Sequence, residues 1–216
     1  MPNQALQRGI ELAAELRELA TSLTRIEVSE EDAREALALA RSMAVHLRGP
    51  ERQRWYEQVE SPVPDFDAPS AFHILSPVSG LMNPVAPPLV VERSQRPDGQ
   101  PAVLGRTRLS SSYEGPPHGV HGGIVAALFD EVLGAAQGLA PPPGVTAKLE
   151  VRYRHLTPVD EELRLESWIV EQRDRRIFAE ATCHAGETLT ASATALFLRV
   201  DFEAVQAHMQ TRREQT

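Results

Sequence analysis

Apolar residues lie three or four positions apart in the first part of the chain, which is the spacing of one face of an α-helix. This pattern predicts a helix over residues 3–25 and a second helix over residues 30–47. Ser29 is suited to cap the second helix, whose first turn is acidic. With a short third helix over residues 52–59, the pattern predicts a helical extension over residues 1–60.

The pattern changes where prolines accumulate. Nine prolines fall within residues 61–101, and each lacks the backbone N–H and the free φ angle on which regular structure depends. We interpret residues 61–101 as a linker with short edge strands, including a candidate strand over residues 89–93.

Residues 102–200 combine alternating segments with one long apolar segment, residues 122–139. Alternation predicts strands, and the short polar joins between them predict antiparallel hairpins. The strand candidates cover residues 103–111, 146–155, 163–171, 176–184 and 189–199. The predicted fold is therefore α+β, with an antiparallel sheet wrapped around one long central helix. A last helix is predicted within residues 201–216.

The predicted central helix is apolar on nearly every side. Its apolar residues include Ile124, Val125, Leu128, Phe129, Val132, Leu133, Ala135 and Ala136. A helix of this kind must be buried on most faces, and one sheet covers only one side. We therefore expect a second copy of the protein to cover the rest, in a homodimer or a dimer of dimers.

Composition and charge limit the partners and the cellular compartment that we expect. The net charge of −8 over 216 residues disfavours nucleic acid as a partner. Cys183 is the only cysteine, so no intrachain disulfide can form. The N-terminus lacks the pattern of a signal peptide, and no apolar run reaches the roughly 18 residues that indicate a membrane span. We expect a soluble cytoplasmic protein.

The candidate chemistry lies at the start of the predicted central helix. Gly122 and Gly123 follow His121 there, and the free N–H groups of a helix N-terminus can hold a carbonyl oxygen or an oxyanion. Asp130 lies two turns further along. A carboxylate among apolar residues is costly unless it has a partner or a function. Together these residues suggest attack on a polarised carbonyl.

Three segments resemble one family. The segment YEGPPHGVHGGIVAALFDEVLGAA, which starts at Tyr113, resembles the signature of hotdog-fold acyl-CoA thioesterases of the phenylacetyl-CoA thioesterase (PaaI) type. The segments TAKLEVRYRHLTPV, from Thr146, and LTASATALF, from Leu189, resemble two later strands of that family. The resemblance covers about residues 75–200 and implies a hotdog dimer that hydrolyses an acyl-CoA thioester.

The resemblance also implies roles for single residues. The N–H of Gly123 polarises the thioester carbonyl, Asp130 acts as nucleophile or as general base for water, and Thr146 orients the water or the carboxylate. No metal or redox cofactor is implied, because coenzyme A enters as part of the substrate. Some relatives carry at the position of Gly115 an Asn that supports the carbonyl, and His118 is the nearby residue available to replace it.

The spacing of Gly123 and Asp130 supports a dimer independently of the resemblance. Seven residues of helix place them roughly 10 Å apart along the axis, whereas one thioester group spans only a few ångströms. If both residues act on one carbon, they come from neighbouring helices of two copies related by a two-fold axis. The dimer then has two shared sites.

Several candidates have structural alternatives. His121 and Gly122 are candidates for substrate binding, but His121 is also suited to a structural hydrogen bond and the glycines to close packing. Glu131 is the second-choice acid, after Asp130. Thr146 is also a β-branched residue of an ordinary strand. The spacing of the histidines in HGVH is not a known zinc pattern, so we expect no metal.

Other candidates lie further from the glycines. Arg154 and Arg176 are candidates for the phosphates of coenzyme A, and a solvated face balanced by Glu150 is the alternative. Asn83 either caps a turn or lines the acyl entrance. Cys183 lies on the apolar face of a predicted strand and is interpreted as a packed core thiol.

The main alternative function is a non-catalytic acyl-CoA sensor or regulator, because some hotdog domains are fused to DNA-binding helices. Residues 1–60 carry eight Arg against eleven Asp and Glu, whereas a DNA reader has a basic face. The acid at Asp130 also argues against a pure sensor. A hotdog hydratase needs an Asp–His pair at a spacing that we do not find. We expect the N-terminal helices to cover the core or to form oligomer contacts.

Overall fold

The computed structural model of the protein describes residues 4–52, 74–140 and 142–200. The main helices are α1 (Gln4–Arg25), α2 (Glu30–Ala44) and α3 (Gly122–Ala136). The strands are β1 (Val90–Gln95), β2 (Pro101–Arg108), β3 (Gly144–Tyr153), β4 (Glu162–Arg173), β5 (Arg176–Ala185) and β6 (Thr188–Arg199). The helices predicted over residues 52–59 and within 201–216 lie outside the described residues, apart from Arg52.

The strands form one antiparallel sheet, as predicted, in the order β1-β2-β4-β5-β6-β3. Tight turns join β4 to β5 and β5 to β6, and Asp174 and Gly186 adopt positive φ angles of 54° and 53° in them. Strand β2 ends at Arg108, three residues before the predicted end, because a 3₁₀ turn over Ser111–Tyr113 begins the path to α3. Strand β3 occupies an edge of the sheet and pairs with β6.

Helix α3 packs on the sheet and forms the core with it, which confirms the prediction of a sheet around one helix. Its fully or nearly buried residues are Val125, Leu128, Phe129, Val132, Leu133, Ala135 and Ala136. The sheet faces it partly with small side chains, Ala179, Ala181, Ala191, Ala193 and Ala195. Ser167 of β4 donates a buried hydrogen bond of 2.7 Å to the carbonyl oxygen of Val132. Small residues let the helix approach closely, and this contact fixes its position.

Helix α3 ends earlier than predicted, and one of its sides is exposed. The predicted helix over residues 122–139 is α-helical to Ala136 and continues as a 3₁₀ turn over Gln137–Leu139. Gly123 and Asp130 are exposed on one side of the helix. By length and apolar composition, Gly122–Leu139 also meets the criteria for a membrane-crossing helix, and in the fold this stretch contains the core helix.

The N-terminal helices differ in how they contact the rest of the fold. Ala13 of α1 is buried, and Arg17 donates a hydrogen bond of 3.0 Å to the carbonyl oxygen of Asn83. The hydroxyls of Thr21 and Thr24 bond those of Ser110 and Ser112, 3.2 and 2.8 Å away. Helix α2 buries none of its residues. Only α1 therefore covers part of the core, on the path that leads to α3.

Candidate active site

His121 caps the N-terminus of α3. Its backbone N–H donates to the carbonyl oxygen of Tyr113 at 2.8 Å, which sets the start of the helix. Its Nδ1 accepts the N–H of Gly123 at 3.0 Å. The backbone donor that the sequence proposes for a carbonyl oxygen is thus bonded to an imidazole in this structure, so the structural hydrogen bond expected of His121 is present.

A tight hairpin before the helix brings Gly115 against His121. The strand-like bridge between Glu114 and Val120 closes this hairpin, and His118 takes a φ of 60° within it. A Cβ on Gly115 would lie 2.8 Å from the Cα of His121, closer than real Cβ contacts. The glycine is therefore a packing requirement, and an Asn side chain does not fit here with this backbone.

Tyr153 makes a contact with the helix N-terminus that sequence reasoning missed. Its hydroxyl donates a hydrogen bond of 2.7 Å to the carbonyl oxygen of Gly122. Alternation had placed Tyr153 on the same strand face as Leu149 and Val151, which pack against the core. That pattern indicated the inward direction, but the register needed to match Tyr153 with Gly122 comes only from the three-dimensional structure.

Thr146 and Asp130 meet near the other end of β3. Thr146 Oγ1 donates a hydrogen bond of 3.0 Å to Asp130 Oδ1, and both residues are exposed. The register of β3 on β6 shifts between Thr146 and Lys148, so Ala147 is an extra, bulged residue. Strict alternation puts Thr146 on the outer face with Lys148. The bulge turns Thr146 inward instead, opposite the buried Phe197 and towards Asp130.

The two candidate groups lie at opposite ends of the same strand. Tyr153 contacts Gly122 and Thr146 contacts Asp130, and seven residues of strand span roughly 20 Å. Along α3, the seven residues from Gly123 to Asp130 span roughly 10 Å. The arrangement within one copy therefore keeps the carboxylate and the helix N-terminus apart.

Glu131, the second-choice acid, has structural partners. The hydroxyl of Ser76 donates to its Oε1 at 2.9 Å, and that of Ser79 donates to the same oxygen at a shorter distance. The Ser76 hydroxyl also accepts the N–H of Val78. Glu131 thus anchors the segment between α2 and β1 to α3, which distinguishes it from the open carboxylate of Asp130.

Asn83 has the contacts of a turn residue. Its Nδ2 donates to the carbonyl oxygens of Leu75 and Ser76 at 3.3 and 3.2 Å, and its Oδ1 accepts the N–H of Val85 at 3.2 Å. Its side-chain donors and acceptor are engaged by the segment it folds. Together with the Arg17 bond to its carbonyl oxygen, this makes Asn83 part of the link between α1 and the core.

The candidate arginines lie apart from each other. Arg154, just after β3, contacts the Ser192 hydroxyl at 3.4 Å and lines an open groove of about 370 Å³ on the sheet. Arg176 begins β5, beside the other end of β6. Lys148 and Glu150 form a 2.9 Å ion pair on the same strand, and this hydrogen bond holds the pKa of Glu150 below its usual value. The balanced face that the sequence offered as the alternative is present for Lys148.

Buried groups near the core titrate away from their ordinary range. Burial raises the pKa of the Cys183 thiol, and the Thr190 side chain partly offsets the increase. Burial also raises the pKa of Tyr113, against the charge of Arg17. A thiol with a raised pKa holds little thiolate and is a poor nucleophile. Cys183 is a core thiol, as predicted.

Comparison with known proteins agrees with this geometry. The model of the thioesterase superfamily matches residues 118–192. PA0474 of Pseudomonas aeruginosa, whose name describes a proposed esterase, is 30% identical over 105 residues, which are 47% of this chain and 78% of that protein. Acyl-coenzyme A thioesterase THEM5 of Homo sapiens is 30% identical over 95 residues, 43% of this chain and 38% of that protein. The chain thus matches less than half the length of the human relative.

A solved structure extends the likeness beyond the core. RHA08564, described as a thioesterase superfamily protein, superposes with a TM-score of 0.74 and 28% sequence identity, over 88% of this chain and 90% of that one. This coverage is larger than the core alone, and it agrees with the predicted hotdog fold. From the family match and the share of PA0474 that is covered, the chain belongs to the thioesterase superfamily.

Proposed function

We propose that the protein hydrolyses an acyl-CoA thioester to a free acid and coenzyme A. The observation that carries the proposal is the 3.0 Å hydrogen bond from Thr146 to Asp130 on the open side of α3. The superfamily and the name of the human relative, an acyl-coenzyme A thioesterase, support the substrate class. The chemistry needs no metal or redox cofactor, and we place the protein in the cytoplasm.

Asp130 supplies the acid–base or nucleophilic step. As a general base it takes one proton from water while the water oxygen bonds the carbonyl carbon. The resulting oxyanion collapses, the C–S bond breaks, and the coenzyme A thiolate takes up a proton. As a nucleophile, its carboxylate bonds the acyl carbon, the C–S bond breaks and coenzyme A leaves as the thiolate, which takes up a proton; water then hydrolyses the anhydride to the free acid and the carboxylate. In both cases Thr146 holds one carboxylate oxygen and leaves Oδ2 to face the reacting group.

The N–H of Gly123 stabilises the oxyanion. It donates to Nδ1 of His121, so a lone pair occupies the direction in which the carbonyl oxygen must arrive. Substrate therefore binds by displacing the imidazole, which is exposed and carried by the chain just before the helix. His121 and Gly122 thereby contribute to substrate binding at the helix N-terminus.

The working site is shared between two copies. Strand β3 presents an edge with unpaired backbone groups, and edges of this kind pair with another strand. Antiparallel pairing of two β3 strands about a two-fold axis brings the Asp130 end of one copy towards the Gly123 end of the other. The exposed Asp130 and Gly123 support this arrangement, because neither is covered by the part of the chain that the structure describes.

The remaining candidates are assigned to the rest of the substrate. Arg154 and Arg176, near opposite ends of β6, carry exposed guanidinium groups suited to the phosphates of coenzyme A. Asn83 holds the segment on which the acyl entrance is proposed. The preferred acyl group is to be determined with a panel of acyl-CoA substrates.

The test is thiol release from short, long and aromatic acyl-CoAs, with the natural protein and with Asp130→Asn. We expect turnover of at least one acyl-CoA and a loss of at least about 100-fold in the variant. Glu131→Gln is the matched control, because it changes the neighbouring carboxylate while keeping an acceptor for Ser76 and Ser79. It should keep activity within a few-fold.

An acyl-CoA sensor is the second candidate, favoured by the bond that already engages the Gly123 N–H. Tight binding of acyl-CoA without thiol release would support the sensor and contradict the hydrolase. Full activity in Asp130→Asn would contradict the role of Asp130. A monomeric protein that retains full activity would contradict the shared site.

A further inference from the structure

Helix α2 leaves its whole surface uncovered. None of its residues is buried, and only Met43 is half-buried. The hydrogen bonds and ion pairs that the structure gives α2 are local ones, such as the Ser29 cap on the N–H of Asp32 at 3.1 Å. An isolated helix of this length is marginal in water. Within residues 4–52, 74–140 and 142–200, nothing packs on α2 closely enough to bury a residue of it.

The uncovered surface of α2 includes an apolar face. Its members alternate four and three residues apart, the spacing at which helices pack side by side, and they are Ala33, Leu37, Ala40 and Ala44. Leu47, in the 3₁₀ turn Val45–Leu47 that follows α2, continues the row. Leu37 and Leu47 are 49% and 60% exposed. A row of exposed apolar residues on one face marks an interaction surface.

Helix α1 has a second apolar face, separate from the face that packs on the core through Ala13. This face comprises Leu12, Leu16, Leu19, Leu23 and the following Ile26. Leu19, Leu23 and Ile26 are exposed. The joint between the helices spans residues 26–29. Leu12 and Leu16 of this face are half-buried, whereas its C-terminal part and the apolar face of α2 are exposed.

The borders of the two faces carry opposite charges. Acidic residues border the free face of α1 at helical spacing: Glu15 and Glu18, together with Glu11, which also pairs with Arg8 at 2.7 Å. Basic residues border the apolar face of α2 every seven positions: Arg41, Arg34, which also lies 3.9 Å from Glu31, and Arg48, just beyond the helix. Each exposed pair contributes little energy, but rows of opposite charge select the partner and its register. Each chain thus carries both halves of a complementary pair.

We propose that α2 of one copy docks on the free apolar face of α1 of a second copy, and that the second copy returns the contact. This exchange is isologous, because each copy gives one α2 and receives one. It forms an interface separate from the β3 edge and does not depend on the proposed hydrolase activity. The contact also links the second copy to the segments Asn83 and Ser110–Tyr113, on which α1 rests.

The experiment places a photo-crosslinking residue at position 37 of the full chain. Irradiation should give a product of two chain masses on a denaturing gel. Mixing isotope-labelled and unlabelled copies should map the crosslink to residues 12–26 of the other copy. The matched control carries the same group at position 35, on the opposite side of α2, and should lose that product. A crosslink confined to one copy, or none, would overturn the proposal.

Reversing the charges that border α1 and α2 then tests whether the two helices pair between copies or within one copy. One variant changes Glu11, Glu15 and Glu18 to Lys, and the other changes Arg34, Arg41 and Arg48 to Glu. Each variant alone should lose the two-chain product, because its rows now repel. A mixture of the two should regain it, since both contacts are complementary again. Failure of the mixture to regain it, or retention by either variant alone, would overturn the proposal.

Discussion

Helices α2 and α3 have the same length, 15 residues, and opposite relations to the fold. Helix α3 buries seven residues against the sheet, while α2 buries none. Their sequences explain the contrast, because α2 carries six charged residues and α3 only Asp130 and Glu131. Core packing therefore stabilises α3, whereas the contacts that the structure gives α2 are its cap and its local charges.

The uncovered sides of the two helices differ as well. The open side of α3 carries Gly123 and Asp130, which are polar groups that can act on a substrate. The open side of α2 carries leucines, which gain free energy only by leaving water. On the two proposals above, the uncovered side serves chemistry in one helix and association in the other. Variants in α2 and in α3 can test this comparison.

The largest effect is expected from truncating the buried side of α3. Phe129 is fully buried, so Phe129→Ala should lower the free energy of unfolding by about 3–5 kcal/mol. Leu37→Ala in α2, measured in protein diluted until its copies separate, should change it by about 0.5 kcal/mol or less. Urea unfolding followed by far-ultraviolet circular dichroism measures both. Equal losses in the two variants would contradict the contrast between the helices.

Much of this architecture follows from the sequence. Periodicity located α1, α2 and α3 within a few residues, because their apolar spacing has no competing interpretation. Alternation located the strands of the sheet. The direction of Thr146 did not follow, since one bulged residue, Ala147, reverses the face of everything before it, and a bulge has no sequence signature of its own.

Contacts between distant segments were also beyond the sequence. The bond from Tyr153 to Gly122 depends on where β3 passes the helix N-terminus. The bond from Gly123 to His121 is local, and the sequence indicated a structural hydrogen bond of His121, but its partner depends on a side-chain rotamer. The site residues could thus be proposed from motif and resemblance, while their partners needed register and rotamer.

The next effect concerns the open side of α3. Thr146→Val removes the hydroxyl that bonds Asp130, so thiol release should fall about tenfold, or ~1.4 kcal/mol in activation free energy. The free energy of unfolding should stay the same, because valine suits a strand. Thr146→Ser is the control that keeps the hydroxyl and should keep most activity. A loss of stability without a loss of activity would make Thr146 a structural residue.

A smaller effect is expected at the cap of α2. Ser29→Ala removes the acceptor for the Asp32 N–H and should destabilise α2 by about 1 kcal/mol. Hydrogen exchange of the α2 amides should then quicken about fivefold. The amides of α3 serve as the internal control and should exchange as before. Faster exchange in both helices would mean that they unfold as one unit.

The smallest effect contrasts a half-buried histidine of the sheet with one in the N-terminal helices. Burial, then the charge of Arg164, lowers the pKa of His184 from its ordinary value of 6.5. At pH values between the pKa of the unfolded chain and the lower pKa of the folded chain, His184 is protonated more in the unfolded chain than in the folded one. His184 therefore contributes stability above about pH 6.5, and this stability is lost as the pH falls. His184→Gln removes this dependence. The stability advantage of the natural protein over His184→Gln, measured by urea unfolding, should therefore shrink between pH 7.5 and pH 5. His46→Gln, in the exposed segment after α2, is the control, and an equal pH-dependent change there would contradict burial as the cause.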